Sequence, residues 1–339
     1  MVSKKEVLSK PVRTIEVSRK SVSGLLHEMS QTGFQGKKLG EVAGIWSDMA
    51  KQKDLTIFMG LTGSLSTTGQ WKIIRWLIEK RYVDVVVSTG ANISEDLLEA
   101  LGYHYYQGTW LADDEKLLRM KIDRFYDVYA DEMEYRKLEN TIYRFAETLD
   151  ERKTYSTREF LYLFGEFLSK KGIDSIVAAA YKHNVPVYSP GLIDSGYGVA
   201  LSLLKRKTGK LVRLDQTKDM EELAQIAERA KRTGVVYLGG GVPKDTIQLS
   251  TIIKSLAQGG KEETPHEYAI QITADSPQWG GLSGCTLEEA ISWGKISSLA
   301  KKATLYADIT LALPLVAHAV NENVEKRADP ADLKWVFKS

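Results

Sequence analysis

A doubly wound, mainly parallel α/β sheet with helices on both faces is the fold that this sequence of 339 residues predicts. Short, nearly continuous apolar and β-branched runs recur along the chain, as strands buried on both faces require. Helix-period segments separate them, and that alternation marks α/β architecture. Glycine clusters just after several of the runs, where a parallel sheet meets its ligands.

The runs begin "LTIFMG" at Leu55, "VDVVVSTG" at Val83, "VPVYSPG" at Val185, "GVVYLGGG" at Gly234, "YAIQITAD" at Tyr268 and "TLYAD" at Thr304. Segments such as "TKDMEELAQIAERAKRT" and "KDTIQLSTIIKSLAQ" carry the helical period between them. From about 113 to 172 the rhythm breaks: the chain is charged, rich in Tyr and Phe, and helical in pattern with no convincing strand. It reads as a helical insertion on the same sheet. No Pro/Gly/Ser-rich linker or internal repeat divides the chain, so 1–339 is expected to be one domain. Its ends, about 1–20 and 324–339, read as arms or interface segments. The longest apolar stretch, Ala303 to Val320, contains Asp308 and Pro314 and reads as a buried strand followed by a helix, not a membrane span.

With 46 basic and 44 acidic residues the net charge is +2, and no Lys/Arg run forms a patch, which argues against nucleic acid as a partner. The N-terminus lacks the apolar core of a signal peptide. One cysteine, Cys285, excludes an intramolecular disulfide and suits a reducing, cytoplasmic setting. It reads as structural. His27, His104, His183, His266 and His318 are scattered without metal-ligand spacing, so no metal is expected. A G-x-S-x-G nucleophile elbow is absent.

Three turns, "FMGLTGSLSTTG" (58–69), "VSTGAN" (87–92) and "LGGGV" (238–242), end strands in small residues. Such turns let backbone approach a ligand closely, and the helix N-termini that follow can hold phosphate. Together they argue for a nucleotide or dinucleotide on a Rossmann-like sheet, although α/β turns use glycine in any case. None matches G-x-G-x-x-G or the P-loop. The acid after the second turn, Glu95 or Asp96, could bond a ribose hydroxyl or favour the helix N-terminus.

"EEAISWGKIS" (288–297) is the other unusual stretch. Thr286 and Glu289 fit a capping box, which predicts an amphipathic helix from about Leu287. Lys295 then lies two turns in, on the face of Glu288 and nearly opposite Trp293. A solvent-exposed lysine is the ordinary reading. Against it, Gly294 weakens a helix and opens the approach to Lys295, and "KK" at 301–302 already supplies the charged C-terminal end. A lysine desolvated by an indole could attack an imine or carbonyl.

"EEAISWGKI" with the downstream "LYADITLALPL" resembles the C-terminal signature of the deoxyhypusine synthase family. "SPGLIDSGYG" (189–198), "YLGGGVPK" (237–244) and "VDVVVSTGANISEDLL" (83–98) are similar to its other motifs, in order, from about 20 to 322. The resemblance implies an NAD-dependent transferase that oxidises spermidine. It would carry the aminobutyl group on an active-site lysine as an imine and pass it to a lysine of a translation factor. It further implies a homotetramer with sites at subunit interfaces. By motif, Lys295 is the imine-forming lysine, and Glu289 and Trp293 line the amine pocket. The implied NAD contacts are Thr62, Ser64, Thr67, Thr89, Gly90, Glu95, Asp194, Gly240, Thr273, Ala274 and Asp308. Trp293 would pack on the amine's methylenes and charge.

Several positions depart from the family pattern. Thr67 stands for Ser, Ser64 for Asn, and Gly90-Ala91 for Ala-Gly. In the amine pocket Val199 and Leu282 stand where Asp is expected, Ser94 replaces an acid, and Asp245 replaces a His. Lost acids redistribute the recognition of a buried cation, which needs paired anchors. The expected substrate is therefore a polyamine or related cation, with Asp245 suited to an ammonium or a guanidinium fork. Aminobutyl transfer to a free diamine, as in homospermidine synthesis, fits as well as protein modification. A plain amine oxidoreductase and a catalytically silent NAD-binding scaffold are the other readings.

Overall fold

The computed structural model describes residues 3–260, 264–281 and 283–338. Six strands build the main sheet: β1 Leu55–Leu61, β2 Val85–Thr89, β3 Val187–Gly191, β4 Arg232–Leu238, β5 His266–Thr273 and β6 Ile296–Tyr306. Their order is β3-β2-β1-β4-β5-β6, and every neighbouring pair is parallel. All seven residues of β1 are buried, as the unbroken run of apolar side chains requires. Alternation along the strands feeds two cores. Ile57, Met59, Val86 and Val236 pack on one face. Phe58, Val85, Val87, Val235 and Tyr237 pack on the other.

Each predicted strand is present, but β6 begins at Ile296, eight residues before the expected start at Thr304. The predicted helix through Lys295 to "KK" does not form. β6 is an edge strand, and Leu299 is 92% exposed on it. An edge tolerates Lys301 and Lys302, and such charges discourage pairing with another chain. They mark the edge of a sheet, not the end of a helix.

The insertion also differs from expectation. Helices Asp114–Met120, Glu132–Ala146 and Thr157–Lys170 are present. Between the first two, Ile122–Phe125 and Val128–Asp131 form an antiparallel hairpin that Tyr106–Gln107 extends to three strands. Its turn places Tyr126 at φ +56° without the Asn-Gly that usually signals such turns.

Residues 325–338 fold back on the same chain. The Arg327 guanidinium donates to the carbonyls of Met49 (3.0 Å), Ala50 (3.2 Å) and Gln52 (3.0 Å) and lies 3.5 Å from the Asp84 carboxylate. Among the described residues, no helix is long and apolar enough to cross a membrane.

At the first residue of β5, His266 is fully buried with Nδ1 2.8 Å from the Thr233 hydroxyl. Burial, helped by the Lys254 charge, lowers its pKa to about 3. The unfolded chain takes up this proton near pH 6.5 and the folded chain does not. Its contribution is therefore complete above pH 6.5 and is lost as pH falls toward 3. In denaturant titrations, the stability advantage of the wild type over His266→Asn should shrink across that window, by up to about 1.4 kcal/mol per pH unit.

Candidate functional site

The two crossovers leaving the β1–β4 pair run to opposite sides, so the crevice between those strands is the topological switch point. Thr62, just after β1, donates its N–H to Leu238 O (3.0 Å) and its hydroxyl to Gly240 O, closing the two turns against each other. Gly239 sits at φ +86°, and a Cβ there would stand 2.9 Å from Thr62 Cβ. Helix Gly241–Ala257 follows, and no side chain caps its N-terminus. Those N–H groups can take an anion.

The β2 turn joins the same crevice. Thr89 donates to Gly63 O (2.7 Å). Asn92 donates to Gly63 O (2.8 Å) and the Thr89 hydroxyl (2.9 Å), while its Oδ1 accepts Leu65 N–H (2.7 Å). Asn92, which sequence reasoning did not single out, thus shapes the turn that holds Ser64 and Thr67. Thr67 is buried, and its hydroxyl donates to Ser64 O at 3.2 Å. Gly90 fills a cradle: a Cβ there would lie 2.5 Å from Ser195 Oγ and 2.8 Å from Leu192 O. Gly90→Ala should therefore displace the β3 turn that carries exposed Asp194, with a loss of about 1–3 kcal/mol in denaturant melts.

The paired acids separate cleanly. Glu95, 8% exposed, accepts from Ser64 Oγ and from the Tyr135 hydroxyl (3.2 Å). Burial raises its pKa, and those two hydrogen bonds oppose the shift. Asp96 points elsewhere: it accepts the Ile176 N–H (2.6 Å) at the start of helix Ile176–His183, and burial raises its pKa to about 7. Glu95 is thus the acid that meets the β1 turn. Thr273 ends β5 with exposed Ala274 beside it, and Asp308 caps helix Ile309–Asn323. All eleven residues expected to hold a dinucleotide stand at the C-terminal edge of the sheet.

The lysine segment is not a long helix. The Thr286–Glu289 capping box forms, with Glu289 N–H to Thr286 Oγ1 (2.9 Å) and Thr286 N–H to Glu289 Oε2 (3.1 Å). One 3-10 turn, Glu289–Ile291, follows. Gly294 then takes φ +67°, with its N–H to Ile291 O (3.0 Å) and Lys295 N–H to Ala290 O (3.0 Å). This is a Schellman stop, which needs a residue at positive φ. Lys295 is the first residue past it and leads directly into β6. The expected placement of Trp293 opposite the lysine is overturned as well: Lys295 Nζ lies 5.1 Å from the Trp293 ring centroid. Gly294→Ala should cost about 1–2 kcal/mol and turn Lys295 away from that ring, seen as a lower melting point and a changed indole fluorescence.

The remaining predicted positions scatter. Asp245 is half-buried just past the first turn of helix Gly241–Ala257, and its Oδ1 lies 3.4 Å from where a Gly284 Cβ would stand. Val199 is exposed on helix Gly196–Thr208, whereas Ser94 is fully buried and bonds Ala91 O. Leu282 lies outside the described residues. Lys295 O accepts His266 N–H (3.0 Å), which puts the lysine at the N-terminal edge of β5 and β6. Its side chain nevertheless reaches back toward the crevice helix, because the Lys295 charge helps to lower the pKa of Lys244 in the first turn of that helix, behind the larger effect of burial.

Strand order and crevice define a doubly wound α/β protein of the Rossmann type, with a glycine-lined ligand edge at its switch point. The deoxyhypusine synthase family profile matches residues 24–320, and the chain belongs to that family. It is 49% identical over 324 residues to "probable deoxyhypusine synthase 2" of Methanosarcina mazei, covering 94% of this chain and 93% of that one. Identity to a "deoxyhypusine synthase-like protein" of Chlorobaculum parvum is 36%, over 91% and 89% of the two chains. A crystal structure from Entamoeba histolytica, assigned provisionally to deoxyhypusine synthase, shares the fold with a TM-score of 0.61 at 18% identity, covering 91% of this chain and 95% of the other.

Proposed function

We propose that the protein is an NAD-dependent aminoalkyl transferase that takes its group from a polyamine. The observation that carries this reading is the Schellman-held Lys295 beside Trp293, in a chain whose switch point is a glycine-lined crevice. The crevice fits a dinucleotide: Gly90 and Gly239 leave room no side chain could share, and the uncapped helix at Gly241 suits a pyrophosphate. Thr62, Thr89, Glu95 and Asp308 would hold the cofactor, which supplies hydride acceptance and return.

This chain's residues account for the rest. Trp293, 62% exposed, offers an aromatic face to a cationic amine. Asp245 lies in the field of the Lys244 ammonium without a direct ion pair among the described residues, and its carboxylate is available to a substrate ammonium. Once the donor amine is oxidised to an imine, Lys295 Nζ in its neutral form adds to that carbon. The diamine portion leaves, and the aminoalkyl group stays on Lys295 as an imine. An acceptor amine would then displace Lys295, releasing its amine, and the bound cofactor would supply the hydride needed to reduce the product.

Family membership supports a homotetramer in which a second subunit completes the site. Exposed Trp279, Trp293 and Leu311 give that interface apolar surface. The acceptor is a translation-factor lysine or a free diamine; the changes at Val199, Ser94 and Asp245 favour testing both. The experiment is to incubate the protein with NAD and spermidine, putrescine or agmatine, reduce with borohydride and map adducts by mass spectrometry. An aminoalkyl adduct on Lys295 is expected. Tight NAD binding with no adduct from any amine would instead favour a silent NAD-binding protein.

A further inference from the structure

Lys244, in the first turn of helix Gly241–Ala257, is fully buried, yet no carboxylate within ion-pair distance takes its charge among the described residues. Its ammonium donates to Gln271 Oε1 (3.0 Å), Ser283 O (2.9 Å) and Cys285 O. Burial lowers its pKa, as expected of a cation held by neutral oxygens. Removing an ammonium from water costs several kcal/mol, so apolar packing alone would favour methionine here.

The acceptors show what the charge holds. Gln271, 2% exposed on β5, donates through Nε2 to Gly239 O (2.9 Å) and to Ser283 O (2.9 Å). Asp275 Oδ2 accepts the Ser283 N–H (2.9 Å), and its carboxylate fills the space of a Cβ on Gly281. The Ser283 backbone is therefore held through both its N–H and its C=O. Through Gln271 it is linked to the triple-glycine turn of the crevice. Cys285, the other anchor, directly precedes the capping box and Schellman stop that aim Lys295.

We propose that Lys244, acting with Gln271, is a positioning residue that ties the glycine turn at the switch point to the loop presenting Lys295. Its catalytic consequence rests on the transferase reading; its mechanical consequence does not. Reacting groups misplaced by about 1 Å lose on the order of 10²-fold in rate, so a tie at the root of the loop matters to chemistry it never touches.

Lys244→Met keeps the aliphatic stem and removes the donors. In the full-length protein its loop amides from Gly284 to Gly294 should exchange with solvent about 10-fold faster than in the wild type. NAD binding, if it protects that loop in the wild type, should no longer do so in the variant. Trapping of the amine on Lys295 should fall at least about 10-fold while the Kd for NAD changes less than about 3-fold. Asp275→Ala releases the N–H of the same residue, Ser283, and should shift exchange and trapping in the same direction; it serves as the readout if Lys244→Met does not fold. Unchanged loop exchange in the variant read would overturn the tie. So would a trapping loss matched by an equal loss of NAD affinity. Absence of any adduct in the wild type would count against the transferase reading alone, because the exchange measurement still decides the tie.

Discussion

Lys295→Ala should abolish the borohydride-trapped adduct, with amine transfer falling on the order of 10³-fold or more. Lys295→Arg should be as inactive, because a guanidinium stays protonated and cannot add to an imine. Both variants should melt within about 0.5 kcal/mol of the wild type, since Lys295 is half-buried and its ammonium makes no hydrogen bond among the described residues. Mass spectrometry of the reduced protein reads the first effect and thermal melting the second. An adduct of equal yield on another lysine of the alanine variant would move the chemistry elsewhere.

The largest loss of stability should come from Arg327→Met. Burial raises the Asp84 pKa and lowers that of Arg327, so desolvation outweighs the attraction between them. Such a pair contributes little as a pair, yet removing one member leaves the other buried with fewer compensating partners. Asp84 would keep Arg81 at 3.1 Å and the N–H groups of Ile57 (2.9 Å) and Ala331 (3.1 Å). The carbonyls of Met49, Ala50 and Gln52 would lose their shared donor. We expect about 3–5 kcal/mol in denaturant titrations. Arg327→Met with Asp84→Asn should cost less than the sum of the two, because the residues share one network. Full additivity would show that the arm is held by its apolar contacts alone.

The strands of the sheet were legible because continuous burial leaves a continuous apolar run, as in Leu55–Leu61. The glycine turns were legible because close approach leaves no room for a side chain, as at Gly90. The lysine loop was half legible. Thr286 and Glu289 spell out its capping box, but Gly294 looks in sequence like a weakness within a helix, because it acts through the sign of φ and composition does not show that. Lys301 and Lys302 misled for a related reason: charge periodicity does not distinguish a helix tail from a sheet edge. The hairpin at Tyr126 escaped because its turn lacks the usual residues, and Lys244 and Gln271 escaped because they bond each other and backbone carbonyls supplied by distant segments.

The Schellman stop before Lys295 separates two jobs that a substitution scan would confound. Position 294 should prove as intolerant as position 295, although it contributes no reactive atom. Asn and Asp, the side chains that best accept left-handed backbone, should be its mildest replacements. Intolerance there would report the direction in which the neighbouring amine is aimed, so a map of essential positions in this loop would be in part a map of backbone handedness.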